Sequence, residues 1–445
     1  MGILILAPRL ISEVKQTSVR LQRKILGLLQ IFTAKLIVYW VFKLKAKIKV
    51  DRRGLPGIKP PFIVLGNHTS NWDPAIVQYV VSPYPCYFLT SNCYFRLPIV
   101  GRLLTIFGAI PKIQFYPDMR SARRIREVLS QGGVVGIFPE GRRSIDGSCC
   151  PLPESVAKLI KKFKVPVVSV RTQGGYFVWP RWSSFWRPGN VETVATRLLA
   201  PDEINKMDVS EIYNAVCRSL TYNDYDWNRT TWSNRYHKNS AEHLHLILHQ
   251  CPRCLAERTM RSKGTRLYCG TCGNTAVVDK YGFLQPLDSK SVVFDDPVKW
   301  NAWQRRNMLT LLTADHFAIR VKVKGLRVAD KYYGEYRSCG QGEMLLNHEG
   351  LYFYGQVDEQ RTELFFPGET LPSVSTEFRE DFEVCDNINS WWFFLEEEQQ
   401  TIRIETAISL IYEQKSNTGH IMKKTASAGC VPNIHDKSKF RPKTS

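Results

Sequence analysis

A histidine and an aspartate separated by four small or polar residues stand in GNHTSNWDPA, residues 66–75, directly after the apolar run PFIVL. A neutral imidazole, with an ordinary pKa of about 6.5, is available near pH 7 to remove a proton from a hydroxyl as that hydroxyl attacks. A carboxylate on its other ring nitrogen would fix the tautomer and stabilise the imidazolium that forms. His68 is the candidate base and Asp73 its orienting group. Residues five apart on a regular helix point about 140° away from each other. The pair can therefore meet only if His68 sits in a turn and Asp73 in the early part of the following helix. That placement would also aim helix-start N–H groups at the site.

Two further clusters carry chemistry. GIFPEGRRSIDG, residues 136–147, runs from a buried strand into Glu140, Gly141, Arg142, Arg143 and Ser144. The glycine permits a tight turn, and guanidinium forks suit a phosphate. CPRC at 251–254 and CGTC at 269–272 form two C-x-x-C knuckles. Four thiolates at this spacing suit one tetrahedral Zn2+ with no open position, a structural site built from Cys251, Cys254, Cys269 and Cys272. His237, His243, His245 and His249 precede the knuckles on an expected helix and read as packed or solvated rather than as a second metal site.

The elements that must position these groups follow from periodicity. PFIVLG, VVGIFP and VPVVSV are short, continuous and β-branched, as buried strands of an α/β sheet are. SARRIREVLSQ and SVAKLIKKF alternate with them at helical period. Ligands of open α/β sheets gather where strands end in such turns. KLKAKIKV reads as an edge strand with a basic face. Residues 25–42 form the most apolar run, interrupted by Gln30 and Lys35 and flanked by basic residues. An interfacial membrane helix is expected there. MGILILAPRL lacks the basic start and small-residue cleavage site of a signal peptide and carries Leu6 where myristoylation needs Ser or Thr.

The 445 residues call for two or three domains, and the net charge of +20 calls for an anionic partner. The charge is uneven. Residues 1–60 hold 13 Lys and Arg against 2 Asp and Glu, a net of +11, whereas residues 341–415 hold 16 acidic against 4 basic residues, a net of −12. This fits a chain that meets an anionic membrane with its N-terminal end better than a nucleic-acid binder, because no extended basic-aromatic surface follows the knuckles.

GLP, NHTSNWD, GAIPKI, FPEGRRS and VPVVSV, in this order over residues 45–235, resemble the glycerolipid acyltransferase family typified by 1-acylglycerol-3-phosphate acyltransferases. The resemblance implies an α/β domain with a mostly parallel or mixed central sheet. It implies acyl transfer from acyl-CoA or acyl-carrier protein to a lysophospholipid hydroxyl, lysophosphatidic acid first, without an acyl-enzyme. It assigns the acceptor phosphate to Glu140, Gly141, Arg143 and Ser144, and it gives VPVVSV a part in the acyl pocket. The family usually places an Arg a few residues after the IP pair. Here Gln114 stands at that approximate place, so Lys112 or Arg120 would supply the charge. Other acceptors are glycerol 3-phosphate or another lysolipid, and the reading from a different class is a non-catalytic lipid- or nucleic-acid-binding protein on the same fold.

The expected organisation is a membrane-associating segment at 1–55, the acyltransferase domain at 56–235, a zinc ribbon at 236–290, a β-rich domain at 291–415 and a disordered tail at 416–445. In the β-rich part DPVKWNAWQRRNMLTLL reads as a helix anchored by Trp300 and Trp303. EMLLNHEGLYFYG reads as a hairpin turned at Asn347–Gly350, WWFFL as a buried strand and ISLIYEQK as a closing helix. The succession faintly resembles a pleckstrin-homology-like domain, whose acidity suits a protein contact. A location on the cytoplasmic face of a membrane is expected.

Overall fold

The computed structural model describes residues 25–42, 46–376, 379 and 381–421. The basic stretch before residue 25 and the tail beyond 421 lie outside the described residues. A seven-stranded sheet carries the His-Asp turn. Its strands are β1 (Ala46–Gly54), β2 (Phe62–Gly66), β3 (Cys86–Ser91), β4 (Ile110–Lys112), β5 (Val134–Ile137), β6 (Val167–Gln173) and β7 (Gly189–Leu199), in the spatial order β1-β7-β6-β2-β5-β3-β4. Every pairing is parallel except β6 with β7, so the sheet is mixed, as expected. Ile63, Val64 and Leu65 of β2 have no exposed surface, because apolar layers cover both faces of the sheet.

One layer comes from the helices Met119–Ser130, Ser155–Phe163 and Val209–Leu220, whose Ile125, Val128, Ile160 and Val216 meet Ile63, Leu65 and Val135. The other comes from the helix Asp73–Val81 and from Val38, which pack Ile76, Val77 and Val80 on Val64 and Val168. β6 is interior: Val167, Val168 and Val170 are buried among these layers, so this strand belongs to the core, as its continuous β-branched run led one to expect.

Two boundaries differ from the sequence reading. β1 is an edge strand as expected, but its partner is β7, in register from Ala46 with Gly189. The sheet therefore begins inside the 1–55 segment. Residues 25–37 are helical and run into a π-turn at Val38–Phe42. Ile31, Ala34 and Val38 repeat at helical spacing on the buried side, while Ile25, Leu28, Phe32, Leu36 and Trp40 are exposed. Gln30, which breaks the apolar run, donates to the Cys86 carbonyl at 2.5 Å. Among the described residues no helix is long and apolar enough to cross a membrane.

A four-stranded antiparallel sheet follows, built from β8 (Met260–Lys263), β9 (Arg266–Cys269), β10 (Thr275–Val278) and β11 (Leu284–Pro286). The histidine segment before it is not a regular helix. It holds only the 3-10 turn Leu244–Leu246, with His243 at φ 67°, because Ala241 bonds across to the Gly264 carbonyl and leaves the helical ladder. The helix Pro297–Leu311 seats Trp300 against this small sheet, where its indole donates to the Gln250 carbonyl at 3.0 Å.

The last unit is a seven-stranded antiparallel sheet of β12 (Ile319–Asp330), β13 (Arg337–Leu346), β14 (Gly350–Val357), β15 (Gln360–Pro367), β16 (Ser375–Thr376), β17 (Asp381–Cys385) and β18 (Asn389–Leu395). Its order is β15-β14-β13-β12-β18-β17-β16. The β13–β14 hairpin turns at Asn347–Gly350 through the Asn347 amide and the Gly350 carbonyl, and β18 buries Trp391, Phe393 and Leu395. The helix Gln400–Ile421 covers the sheet with Ile404, Ala407, Ile408 and Ile411. It passes the 415/416 boundary at which the sequence reading began a disordered tail.

Candidate active site

β2 ends at Gly66, and Asn67 ties the next residue to β6 through two 2.7 Å bonds, Nδ2 to the Thr172 carbonyl and the Thr172 amide to Oδ1. The chain then turns through His68, Thr69 and Ser70, and the next helix opens at Asp73 with Pro74 in its first turn. His68 therefore stands before the helix and Asp73 at its start, as the five-residue spacing requires. His68 Nδ1 lies 2.9 Å from Asp73 Oδ2. Asp73 is 1% exposed and accepts four more bonds: the amides of Thr69 (2.5 Å) and Ser70 (2.8 Å) on Oδ2, and both hydroxyls (3.0 Å each) on Oδ1.

The turn amides of Thr69 and Ser70 are bound by Asp73 and that of His68 by Glu140, and at the helix start the Asp73 amide donates to the Ser70 carbonyl at 3.4 Å. The His68 ring is 19% exposed and stacks on Phe138, centroids 4.5 Å apart. Burial pushes its pKa below the usual 6.5; Asp73 offsets this in part, and the charges of Arg143 and Arg181 lower it again. A pKa below 6.5 favours the neutral imidazole at pH 7, the form that a general base requires.

The turn after β5 closes over the histidine backbone. Glu140 is 3% exposed. Its Oε1 accepts the His68 amide at 2.7 Å and its Oε2 the Cys150 amide at 2.9 Å. Burial drives its pKa up to about 8. Ser144 is fully buried; its amide donates to the His68 carbonyl at 2.8 Å and its hydroxyl bridges Gly147 and Ser148. Gly141 holds φ +70°, a left-handed turn that glycine adopts without strain. Glu140 and Ser144, expected at the acceptor phosphate, are thus internal struts of the His68 turn.

Lys112 is also engaged. Its ammonium donates to the Ile113 and Tyr116 carbonyls at 2.5 and 2.6 Å, and burial lowers its pKa. Gln114 donates to the Gly141 carbonyl at 2.5 Å and receives the Ser375 hydroxyl. Arg120 stacks 3.7 Å over Tyr332. Arg143 is the expected phosphate ligand whose charge acts on His68.

Sequence reasoning assigned no role to Phe138, Arg181 or the Trp72–Trp179–Trp186 cluster, whose rings lie 5.1–5.9 Å apart beside Asp73. Phe138 was within reach, as the residue before the Pro-Glu-Gly turn. The tryptophans come from two distant segments and carry no common spacing.

Cys251, Cys254, Cys269 and Cys272 place all four Sγ atoms within 4.8 Å of one another. Two of the separations, Cys251–Cys272 and Cys254–Cys269, are 3.7 Å. A tetrahedron with metal–sulfur bonds of about 2.3 Å has edges near 3.8 Å, so the thiols fit such an ion. His249 is buried and His245 is bonded to Ser262 at 2.7 Å; both pack and neither joins the thiols.

Residues 44–173 match the family model described as Acyltransferase. Over 174 residues it is 27% identical to a 1-acyl-sn-glycerol-3-phosphate acyltransferase of Chlamydomonas reinhardtii, covering 38% of this chain and 52% of the relative. It is 28% identical to the chloroplastic 1-acyl-sn-glycerol-3-phosphate acyltransferase BAT2 of Brassica napus, covering 30% and 40%. The chain thus spans about half or less of these relatives' lengths. A solved structure, the 1-acyl-sn-glycerophosphate acyltransferase PlsC of Thermotoga maritima, aligns with a TM-score of 0.38 at 21% identity, over 49% of this chain and 83% of that one.

Proposed function

We propose that this chain transfers an acyl group from a thioester donor, acyl-CoA or acyl-carrier protein, to the hydroxyl of lysophosphatidic acid, forming phosphatidic acid at a membrane surface. The observation that carries the reading is the His68–Asp73 pair, with a buried carboxylate, a partly exposed ring and Nδ1 committed to the carboxylate. The acceptor oxygen attacks the thioester carbonyl carbon while His68 Nε2 takes its proton. The tetrahedral intermediate collapses, the C–S bond breaks, and the imidazolium returns the proton to the departing thiolate. No side-chain nucleophile is required. Arg143 and Arg181, whose charges act on His68, favour the developing oxyanion and the acceptor phosphate.

The relatives' names support this acceptor, and the exposed apolar side chains of residues 25–40 with the basic N-terminal stretch support a membrane-facing, cytoplasmic-side location. The four thiols hold Zn2+, which supplies fixed geometry to the ribbon and no chemistry to the reaction. Acyl transfer from a long-chain acyl-CoA to lysophosphatidic acid on vesicles, wild type beside His68→Ala, tests the reading. A wild type that forms no phosphatidic acid, yet acylates glycerol 3-phosphate or a neutral lysolipid, would move the acceptor. No product with any acceptor would overturn the enzyme reading.

A further inference from the structure

We infer that the cysteine ribbon and the β-rich domain are structural parts of the catalytic site, with Glu405 as a positioning residue for the turn that holds His68. The inference rests on the acyltransferase reading. Arg142, between Gly141 and Arg143, forms an ion pair with Glu405 on the helix Gln400–Ile421. The two side chains are 13% and 2% exposed. Ser373 completes the junction, accepting from Arg142 at 3.0 Å and donating to Glu405 at 3.1 Å. From the same domain Ser375 reaches Gln114, which holds the Gly141 carbonyl.

The opposite flank of the turn is held from the ribbon side. Ile145 is buried in the cluster of Leu248, Leu267, Trp300 and Ile402, and Asn301 donates to Asp146 at 2.9 Å. Residues on both sides of Ser144, Arg142 before it and Ile145 and Asp146 after it, are therefore anchored outside the α/β domain. A buried charge pair is retained only when both partners stay in place, because removal of one strands the other in a medium that solvates it poorly. Part of the C-terminal acidity is accounted for in this way: Glu405 meets Arg142, and Glu397 and Glu413 meet Arg258 and Arg305.

The test is Glu405→Gln in the full chain, read by hydrogen exchange and by kinetics. Exchange should rise about tenfold or more in peptides covering 66–75 and 138–150, the lower range for a lost hydrogen bond to a charged group. The β6 and β9 peptides should stay protected, and the lysophosphatidic acid KM should rise more than the acyl-donor KM. The reciprocal pair Arg142→Glu/Glu405→Arg should recover part of the protection. If Glu405→Gln fails to fold, Ser375→Ala should loosen the same two peptides by a smaller factor. Unchanged exchange in 138–150, an equal rise in every peptide, or identical shifts of both KM values would overturn the inference. Exchange needs no substrate, so a wild type inactive on lysophosphatidic acid would sink the proposed acceptor and leave this result to be read separately.

Discussion

Asp73→Asn separates the two services a carboxylate can render to a catalytic imidazole, charge and tautomer. An asparagine that turned its NH2 toward His68 would force the wrong tautomer, at a cost of about 10⁴ in rate. The local donors forbid that rotation. The amides of Thr69 and Ser70 both point at Oδ2, the atom that also faces His68 Nδ1. A backbone N–H cannot become an acceptor, so the asparagine oxygen must take the Oδ2 position. The Oδ1 position is met only by the hydroxyls of Thr69 and Ser70, which can rotate to accept from NH2. The tautomer is preserved and only the charge is lost. Two unit charges about 4 Å apart interact by about 4 kcal/mol at an effective dielectric constant near 20. With the imidazolium roughly half formed in the transition state, the loss is about 2 kcal/mol, near thirtyfold in kcat/KM. His68→Ala should cost about 10²–10⁴, and Asp73→Asn in that background should cost nothing further, since the two groups act as a unit. Initial rates of phosphatidic acid formation on vesicles decide it. A loss near 10⁴ for Asp73→Asn alone, or a double variant clearly worse than His68→Ala, would refute this account of the network.

Two other expectations concern charge and metal. The pKa of His68 lies below 6.5 because of burial first, with Arg143 and Arg181 lowering it further against the opposing pull of Asp73. The base is lost only when the imidazole is protonated, so the acid limb of wild-type kcat/KM should lie below pH 6.5. Arg143→Gln should move that limb to higher pH and raise the acceptor KM; an acid limb that stays in place would show that the charge does not reach His68. Chelation of the metal, or Cys254→Ser with metal content read by mass spectrometry, should melt the ribbon. Because Ile145, Trp300 and Ile402 share its core, thermal unfolding of the whole chain should begin at lower temperature, and an unchanged melting curve would show that the thiols carry no structural metal.

What the sequence made legible follows the range of the interaction. The His68–Asp73 geometry could be read because five residues and the pitch of one helix settle it. The two C-x-x-C knuckles could be read for the same reason, since each pair lies within a single turn. Glu140 and Ser144 are polar residues in a phosphate-like motif, and their type gave no sign that they are struts; their burial decides that, through bonds from the His68 and Cys150 amides to Glu140 and from the Ser144 amide to the His68 carbonyl. β1 carries its period-two pattern openly, yet nothing local says that its partner lies at Gly189–Leu199, parallel to it.

Glu405 is the extreme case. It stands 263 residues from Arg142 and sits on a helix whose composition reads only as core-facing. One acidic residue among sixteen could not be singled out by charge count. The departure at Gln114 was visible as a missing arginine, and its meaning came only with Gly141 and Ser375 beside it. In the place where the family usually has a cation, this chain has put a strut to its own C-terminal domain. Here the motif residues supply the chemistry, and residues that no motif contains hold them where the chemistry can occur.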